Sequence, residues 1–498
     1  MSSLLRVSRH SSPPPVASLA SKLTSRSMEI RPILPKCERH VSRDASSLGV
    51  FSIHVVTLAF GRASIEYMRR NASSFYVSCA VRGGKNERED IALQMARGGN
   101  KQLGAAKNAK NDEFYTQYAD IQKEVNAYLE YNPDTFRGKT VLLPCDDPEW
   151  SKFTRYFAEN FERLGLKKLI STSYAVESKK YKSVYQPSLF ETESPQYDVD
   201  KTRIKGKIFI LDHDTNQNGR IDLDDLEWRY LEGDGDFRSK EVCKLRDEAD
   251  IIVTNPPFSL FREFIAWILE GKCLTQRRRD AEGGACLSRP WSLDAKKFLI
   301  IGNMNAISYK EVFPLIMENK MWLGESIHSG DREFGVPKEY PLEAAGWRVD
   351  EKGNHYIRVK GVRWFTNLEH GRRHKPLDLM TMADNIKYSK HKEIRGREYL
   401  QYDNYDAIEV AYTDAIPSDY QGVMGVPISF LDKYCPEQFE ILGITDRGNA
   451  YGIKIHEYTE DEIPNANDLN RRGAVVVDGK LQSTYARILI RHKKGTVK

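Results

Sequence analysis

The eight residues Ile-Ile-Val-Thr-Asn-Pro-Pro-Phe at positions 251–258 decide the fold of this chain. The first four are β-branched and predict a buried strand, which the Asn-Pro-Pro turn ends on its carboxyl side. From Leu260 to Ile268 apolar residues recur with helical spacing. A strand that leads through a rigid polar turn into a helix indicates an open α/β sheet, and such sheets bind ligands beyond the carboxyl ends of their strands.

The turn has a composition suited to holding an amine. Pro256 and Pro257 fix the backbone and remove two N–H donors, so the turn presents acceptors with little competition from its own donors. The side-chain oxygen of Asn255 and the carbonyl of Pro256 can then accept both hydrogens of an exocyclic amine. Such acceptors favour the tetrahedral nitrogen that forms when the amine attacks a methyl donor. Phe258 offers a face on which a base flipped out of a duplex can stack.

Asn255-Pro256-Pro257-Phe258 resembles the catalytic motif of the amino-group DNA methyltransferases, which use S-adenosylmethionine. The resemblance implies methyl transfer to the amino group of a base, with these four residues as the catalytic set. Asn-Pro-Pro followed by an aromatic residue also occurs in enzymes that methylate RNA, protein glutamine or cytosine N4. An incidental strand-to-loop corner is a further alternative, so the neighbouring segments have to decide.

A segment just before a predicted helix at residues 118–131 is similar to the one that precedes the cofactor motif in many of these enzymes. It reads Asp-Glu-Phe-Tyr-Thr-Gln at residues 112–117. The resemblance implies that Tyr115 and Thr116 lie against the methionine part of the cofactor. The alternative is that Thr116 caps the helix.

The next predicted strand, residues 139–144, is followed by Cys-Asp-Asp-Pro. Most methyltransferases carry a glycine-rich turn at this point, and Cys-Asp-Asp-Pro resembles the EcoRI-type adenine methyltransferases in particular. The resemblance implies that Cys145, Asp146 and Asp147 bind the cofactor, because carboxylates at this position can hold its methionine ammonium or its ribose hydroxyls.

Asp236 and Phe237 follow a glycine-rich turn upstream of the catalytic motif and resemble the segment that holds the cofactor's adenine. The resemblance implies that Asp236 accepts from the adenine amino group and that Phe237 stacks on its ring; a plain glycine turn is the alternative. Residues 214–225 match the ligand spacing of a calcium loop, but Asp225 stands where a bidentate Glu is needed. We therefore favour an acidic solvated turn there and predict no metal site.

Basic residues cluster at and after a predicted strand at residues 362–368. They form the strongest candidate for phosphate contact, although a charge run is equally typical of a solvated face. The predicted DNA-binding residues are Arg363, Arg372, Arg373 and Lys375. Residues 271–294, with three consecutive arginines, look like an insertion into the family pattern, and we favour a solvated loop over a DNA-contacting one.

The chain has 498 residues, enough for two or three domains, and a formal net charge of +5, which is compatible with nucleic acid binding without requiring it. Seven cysteines without a C-x-x-C pair suggest neither a disulfide framework nor a structural zinc site. No apolar run reaches the length of a membrane span, so no membrane association is expected. Residues 1–94 resemble a disordered or transit-like leader, since no acidic residue precedes Glu29.

The order of these motifs identifies the chain as similar to the EcoRI-type adenine-specific DNA methyltransferases from about residue 95 to its end. The resemblance implies a Rossmann-like S-adenosylmethionine-dependent methyltransferase sheet with helices on both faces at residues 95–375. It also implies a smaller C-terminal α+β target-recognition region at residues 376–498. The expected reaction is methylation of adenine N6 in double-stranded DNA with base flipping.

The expected partner is double-stranded DNA, and no stable protein partner is implied. A cognate restriction endonuclease that acts on the same site is possible, but the sequence does not decide whether one exists. The expected location is cytoplasmic, or an organelle or the nucleus if the leader is a targeting segment. Two alternatives stay open: an N4-cytosine or RNA amino methyltransferase, and a catalytically decayed DNA-binding protein on the same scaffold.

Overall fold

The structure is a computed structural model. It describes residues 116–144, 146, 151–175, 192–270, 296–326, 332–336, 347–446, 454–464 and 466–495. The predicted leader and the predicted insertion at residues 271–294 lie outside the described residues.

Seventeen strands are present in this part of the chain. In chain order they are β1 Thr140–Leu143, β2 Lys168–Ser173, β3 Lys207–Leu211, β4 Glu227–Tyr230, β5 Ile251–Thr254, β6 Lys297–Asn303, β7 Trp322–Leu323, β8 Arg332–Val336, β9 Arg348–Val349, β10 His355–Val359, β11 Val362–Thr366, β12 Ile408–Glu409, β13 Met424–Pro427, β14 Phe439–Ile444, β15 Ala474–Val477, β16 Lys480–Ser483 and β17 Arg487–His492.

The α-helices of the described residues are α1 Tyr118–Tyr131, α2 Lys152–Glu159, α3 Phe161–Leu164, α4 Val199–Ile204, α5 Lys240–Glu248, α6 Phe261–Glu270, α7 Phe313–Met317, α8 Met382–Tyr388 and α9 Ala466–Asn470. Short 3₁₀ turns lie at Leu223–Asp225, Phe258–Leu260, Met304–Ser308, Gly371–His374, Thr413–Ala415 and Ile428–Lys433. The mixed α/β class expected from the sequence is confirmed.

Eight strands form the main sheet in the order β4-β3-β2-β1-β5-β6-β11-β7. The four central strands β2, β1, β5 and β6 are parallel. On one side β3 and β4 continue the sheet antiparallel, and on the other side β11 and β7 do so. Because the central strands are parallel, their carboxyl ends meet at one edge, which we call the carboxyl edge; it contains Ser173, Leu143, Thr254 and Asn303.

Both faces of the main sheet are buried, each in its own hydrophobic core. Successive side chains of a strand point to opposite faces, so each strand contributes to both cores. One face contributes Leu142, Ile170, Ile252 and Ile300 to a core that also includes side chains of α5, α6 and α7. The other face contributes Val141, Leu169, Val253 and Ile301 to a core that includes side chains of α1 and α2. A sheet buried on both faces reads as continuous apolar runs, which is why the sequence of β5 shows no alternation.

Three smaller sheets accompany the main one. β8, β10 and β9 form an antiparallel sheet, β12-β13-β17-β14 form a four-stranded sheet, and β15 and β16 form a hairpin. Apolar side chains of β13, β14 and β17 belong to the same core as those of α6 and α7. The C-terminal strands therefore share a hydrophobic core with the main sheet.

The acidic turn at residues 214–225, which has the spacing of a calcium loop, is closed by its own hydrogen bonds. Asp225 accepts hydrogen bonds from the backbone N–H groups of Thr215, Asn216 and Asp222. Asp214 accepts from the N–H groups of Asn218 and Gly219. The loop's own amides thus occupy the oxygens that a cation would need, which fits the acidic turn that the sequence favours.

No helix in the described ranges is both long and apolar enough to cross a membrane.

Candidate active site

The turn after β5 lies at the carboxyl edge, as its sequence predicts. β5 ends at Thr254, and a 3₁₀ turn at Phe258–Leu260 leads directly into α6. The turn is closed by a hydrogen bond of 2.9 Å from the N–H of Leu260 to the carbonyl of Pro257. Asn255 and Phe258 are half-buried, so both are held by the fold without being sealed in it.

Gly302 on the neighbouring strand β6 allows the helix after this turn to approach the sheet. A Cβ atom at Gly302 would stand 2.4 Å from the ring of Phe261, the first residue of α6. No other residue type fits without moving that ring, so this glycine fixes the direction in which the turn continues.

Asp146 joins the end of β1 to the candidate catalytic turn. Its carboxylate accepts a hydrogen bond of 2.6 Å from the hydroxyl of Thr254, the residue before Asn255. The other carboxylate oxygen accepts from the hydroxyl of Ser151 at 2.7 Å, and Ser151 caps the N-terminus of α2. The backbone carbonyl of Asp146 accepts from Thr154 at 3.0 Å. A buried carboxylate is therefore held within one residue of Asn255 by three elements of the fold.

Asp236 and Phe237 lie at the same edge, beside the end of β2. The turn that contains them is anchored there, because Ala175 donates its N–H to the carbonyl of Asp234 at 2.8 Å. Gly235 has a φ of +86°, and a Cβ atom there would stand 2.2 Å from the carbonyl oxygen of Ser173. The left-handed conformation and the close approach both require glycine.

The Asp236 carboxylate is engaged by Arg238. Arg238 donates to its two oxygens from Nε at 2.9 Å and from Nη2 at 2.6 Å, and pairs with Glu263 of α6 at 3.0 Å. The hydrogen bond to Asp236 raises the pKa of the Arg238 guanidinium above its usual value. Asp236 is thus placed at the carboxyl edge with its carboxylate in an ion pair.

Phe237 is fully buried in the core. Its ring makes edge contacts with Phe264 at 5.1 Å and Trp267 at 5.5 Å between centroids. In this arrangement the ring supports α6, and stacking of an adenine on it requires a change of side-chain packing.

Thr116 is buried immediately before α1. The helix is capped by Gln117, and that cap makes no side-chain hydrogen bond, so the interpretation of Thr116 as a helix cap is wrong. Among the described residues nothing hydrogen-bonds the Thr116 hydroxyl, although the side chain is only 3% exposed. A buried hydroxyl in this state is costly unless a ligand satisfies it. Tyr115, Cys145 and Asp147, which the sequence also assigns to cofactor binding, lie outside the described residues.

Two of the three arginines predicted to bind DNA are buried and have structural partners, which corrects their assignment. Arg363 on β11 is buried and pairs with Asp432 through Nε at 2.7 Å and Nη2 at 3.0 Å. Arg373 is also buried; its guanidinium lies 3.8 Å from the ring centroid of Trp322 and its Nε lies 3.1 Å from Glu369. Burial lowers the pKa of Arg373 from its usual value. These side chains are not available to phosphates.

The other two predicted cations lie beside β7, at the end of the main sheet. Arg372 donates to the carbonyl of Glu325 at 2.8 Å, and Lys375 is exposed. Three strand spacings separate β7 from β5, a distance of about 14 Å. Contact of Arg372 and Lys375 with DNA stays a prediction.

Sequence reasoning missed the hydroxyl groups that organise the site. Thr254 donates to Asp146, and Ser171 of β2 lies 2.9 Å from Thr154 of α2. The available signal was weak: a threonine ends an otherwise aliphatic strand directly before Asn255. What reveals these residues is the meeting of β1, β2 and β5 at one edge. The arrangement places a carboxylate, an amide and an aromatic ring together. A site that binds a polar ligand next to an amine requires these three groups.

The chain is similar to known proteins over most of its length. The chain matches the family described as adenine-specific methyltransferase EcoRI over residues 102–273 and 293–493. It is 42% identical to the type II methyltransferase M.EcoRI of Escherichia coli over 349 residues, which cover 70% of this chain and 90% of the relative. It is 31% identical to the type II methyltransferase M.MpnI of Mycoplasma pneumoniae, over 79% of this chain and 98% of that relative. No solved structure matches the chain significantly.

Proposed function

Because the chain belongs to the EcoRI family of adenine-specific methyltransferases, we propose that it transfers a methyl group from S-adenosylmethionine to adenine N6 of double-stranded DNA. The chain is an adenine-specific DNA methyltransferase of the restriction-modification type; the proposal concerns its methyl donor, the reacting atom and the residues that act. The observation that carries it is the hydrogen bond from Thr254 to Asp146, since it couples the candidate cofactor carboxylate to the residue before Asn255.

Asn255 and Pro256 are the proposed catalytic residues for the amine. The amide oxygen of Asn255 and the carbonyl of Pro256 accept the two N6 hydrogens and draw the nitrogen lone pair out of the purine ring. This interaction strengthens as the nitrogen becomes tetrahedral, so it lowers the barrier more than it stabilises the bound base. Pro257 fixes the turn, and Phe258 stacks on the adenine after it leaves the helix.

Thr116, Asp146 and Asp236 are the described residues that we propose to hold the cofactor. The buried Thr116 hydroxyl, which has no hydrogen-bond partner among the described residues, fits a polar ligand. Asp146 supplies a carboxylate for an ammonium or for ribose hydroxyls, and Asp236 supplies an acceptor for an amino group. When bound, S-adenosylmethionine supplies a methyl group on a positively charged sulfur. Tyr115, Cys145, Asp147 and Phe237 complete the proposed cofactor set from the family resemblance.

The finer fold assignment is part of the same proposal. Four parallel strands with helices on both faces and polar groups at the carboxyl edge support a Rossmann-like methyltransferase sheet at residues 95–375. The strands β12 to β17 support a C-terminal target-recognition region at residues 376–498. In that region a site-specific enzyme would read the bases around its target.

Nucleoside analysis tests the proposed reaction. The full chain is incubated with S-adenosylmethionine carrying a deuterated methyl group and a mixture of unmethylated plasmid DNA and RNA, and the digested nucleosides are separated by mass. We expect labelled N6-methyldeoxyadenosine alone. Labelled N4-methylcytosine or methylated ribonucleosides would overturn the choice of acceptor. Absence of any label, with no heat of cofactor binding in calorimetry, would instead indicate a decayed scaffold.

A further inference from the structure

The three-stranded sheet β8-β10-β9 starts at the carboxyl edge. Only Lys360 and Gly361 separate β10 from β11, and the carbonyl of Lys360 accepts a hydrogen bond of 3.1 Å from the side chain of Asn303. The N–H of Met304 donates to the carbonyl of Gly361 at 2.6 Å. Val362, the first residue of β11, pairs with Asn303, the last residue of β6. The base of this small sheet is therefore fixed one strand away from β5 and its catalytic turn.

The small sheet has one apolar and one polar face. Phe334 and Ile357 pair across β8 and β10, and both are buried in the core that covers the α1 side of the main sheet. On the opposite face Arg358 pairs with Glu333, and Tyr356 pairs with Arg348. The sheet is held by its apolar face, which leaves the polar face toward solvent.

The charged side chains of the polar face differ in how many hydrogen-bond and ion-pair partners they have. Arg348 donates to both oxygens of Glu333 at 2.7 and 2.6 Å and lies 4.3 Å from the ring centroid of Tyr356. Within the described ranges no hydrogen bond or ion pair engages the side chains of Arg358 and Lys360, and both residues are exposed. Two cations are thus presented to solvent at the edge where the catalytic turn lies.

We propose that this face of the β8-β10-β9 sheet binds the phosphate backbone of the DNA duplex next to the target adenine, through Arg358 and Lys360. The inference rests on the proposed function, because it requires the target base to enter at Asn255. Phosphates at this position would pair with cations that no hydrogen bond or ion pair engages within the described residues, and backbone contacts fix the position of a protein on a duplex. By contrast, the buried arginines Arg363 and Arg373 already have partners.

The salt dependence of binding measures these contacts directly. Each phosphate contact releases condensed counterions and contributes roughly 0.9 to the slope of log affinity against log salt concentration. Loss of both contacts should therefore reduce that slope by about 2. A change that only loosened the fold would lower the melting temperature and leave no such signature.

The experiment compares two matched pairs of cations in the full chain. One variant is Arg358→Ala/Lys360→Ala; the control is Lys139→Ala/Lys167→Ala, which removes two exposed lysines just before β1 and β2, at the opposite edge of the sheet. Binding to unmethylated plasmid fragments is followed by fluorescence anisotropy between low and physiological salt, and methyl transfer and cofactor binding are measured in parallel. A third variant, Arg358→Lys/Lys360→Arg, retains both charges.

We expect the alanine pair at the polar face to reduce the salt slope by about 2 and to raise the KM for DNA about tenfold or more, with cofactor affinity unchanged. The control pair and the charge-retaining pair should keep the slope of the unmodified chain. If the unmodified chain methylates DNA and the Arg358/Lys360 alanine variant keeps its slope, the inference is overturned and the proposed function stands. If the unmodified chain transfers no methyl group to DNA, the proposed function fails, and the inference fails with it.

Discussion

Polar and charged side chains cluster in two regions of the main sheet, and the two clusters have different kinds of hydrogen-bond partner. At the carboxyl edge Thr254 and Ser151 both donate hydrogen bonds to the carboxylate of Asp146, beside the proposed catalytic turn. On β11 and in the segment after it, Arg363 and Arg373 are held by partners from distant parts of the chain. We propose that the first group serves to bind a ligand, whereas the second stabilises the fold. A charged residue therefore reveals its role only through the partners that the fold provides.

The largest effect is expected from breaking the buried pair on β11. Arg363→Ala leaves the Asp432 carboxylate buried without its partner, which should lower the free energy of unfolding by about 3–5 kcal/mol. Urea unfolding followed by circular dichroism measures this change. The salt slope of DNA binding should stay that of the unmodified chain. If the slope falls and stability does not, Arg363 belongs with the DNA-binding residues after all.

A substitution in the proposed catalytic turn should have the opposite effect: a large loss of turnover with little change in stability. Asn255→Ala removes one acceptor for the amine, so we expect turnover to fall by at least about 100-fold while cofactor affinity and stability change little. Asn255→Asp keeps an acceptor oxygen at the same place and should retain measurable turnover. Single-turnover methylation and calorimetry with S-adenosylmethionine provide the two readouts. Unchanged turnover in Asn255→Ala would remove this residue from the proposed mechanism.

The contrast between these two regions also explains which features the sequence could predict and which it could not. The sequence predicts α1 at Tyr118–Tyr131 with the bounds that the structure has, and it predicts β1 and β11 to within two residues at each end. The order of the motifs places Asp146 and Asn255 at one edge, because the strands β1 and β5 that precede them are parallel neighbours and end on the same side.

Partners that are distant in the sequence could not be predicted. Arg363 and Asp432 are 69 positions apart, and Arg373 and Asn319 are 54 positions apart. No local pattern separates a buried arginine from an exposed one within the same basic run. The small β8-β10-β9 sheet also escaped prediction, because its strands are only two to five residues long and give too short a pattern. Its position at the carboxyl edge follows only from the antiparallel pairing of β11 with β6.

Two carboxylates at opposite ends of the parallel strands allow a matched test of cofactor binding. Asp146 lies at the carboxyl edge, and Asp250 lies at the start of β5, where it accepts from the N–H of Thr140 at 2.9 Å. Asp146→Asn removes the charge proposed to hold the cofactor, so we expect cofactor affinity to fall about tenfold, as for the loss of one charge-assisted hydrogen bond. Asp250→Asn keeps its acceptor oxygen and should leave that affinity unchanged. Equal effects in calorimetry would show that Asp146 has no special relation to the cofactor.

The smallest effect is expected from the two predicted DNA-binding cations beside β7. Arg372 donates a hydrogen bond to the carbonyl of Glu325, and the neighbouring strand β7 lies about three strand spacings from β5, which precedes the proposed catalytic turn. Arg372→Ala/Lys375→Ala should therefore reduce the salt slope of DNA binding by less than about 1, against about 2 for Arg358→Ala/Lys360→Ala. Anisotropy titrations of both variants on the same plasmid fragments decide the ranking. A larger loss for the Arg372/Lys375 pair would place the duplex along β7 and would move the DNA-binding surface from the carboxyl edge to the end of the sheet.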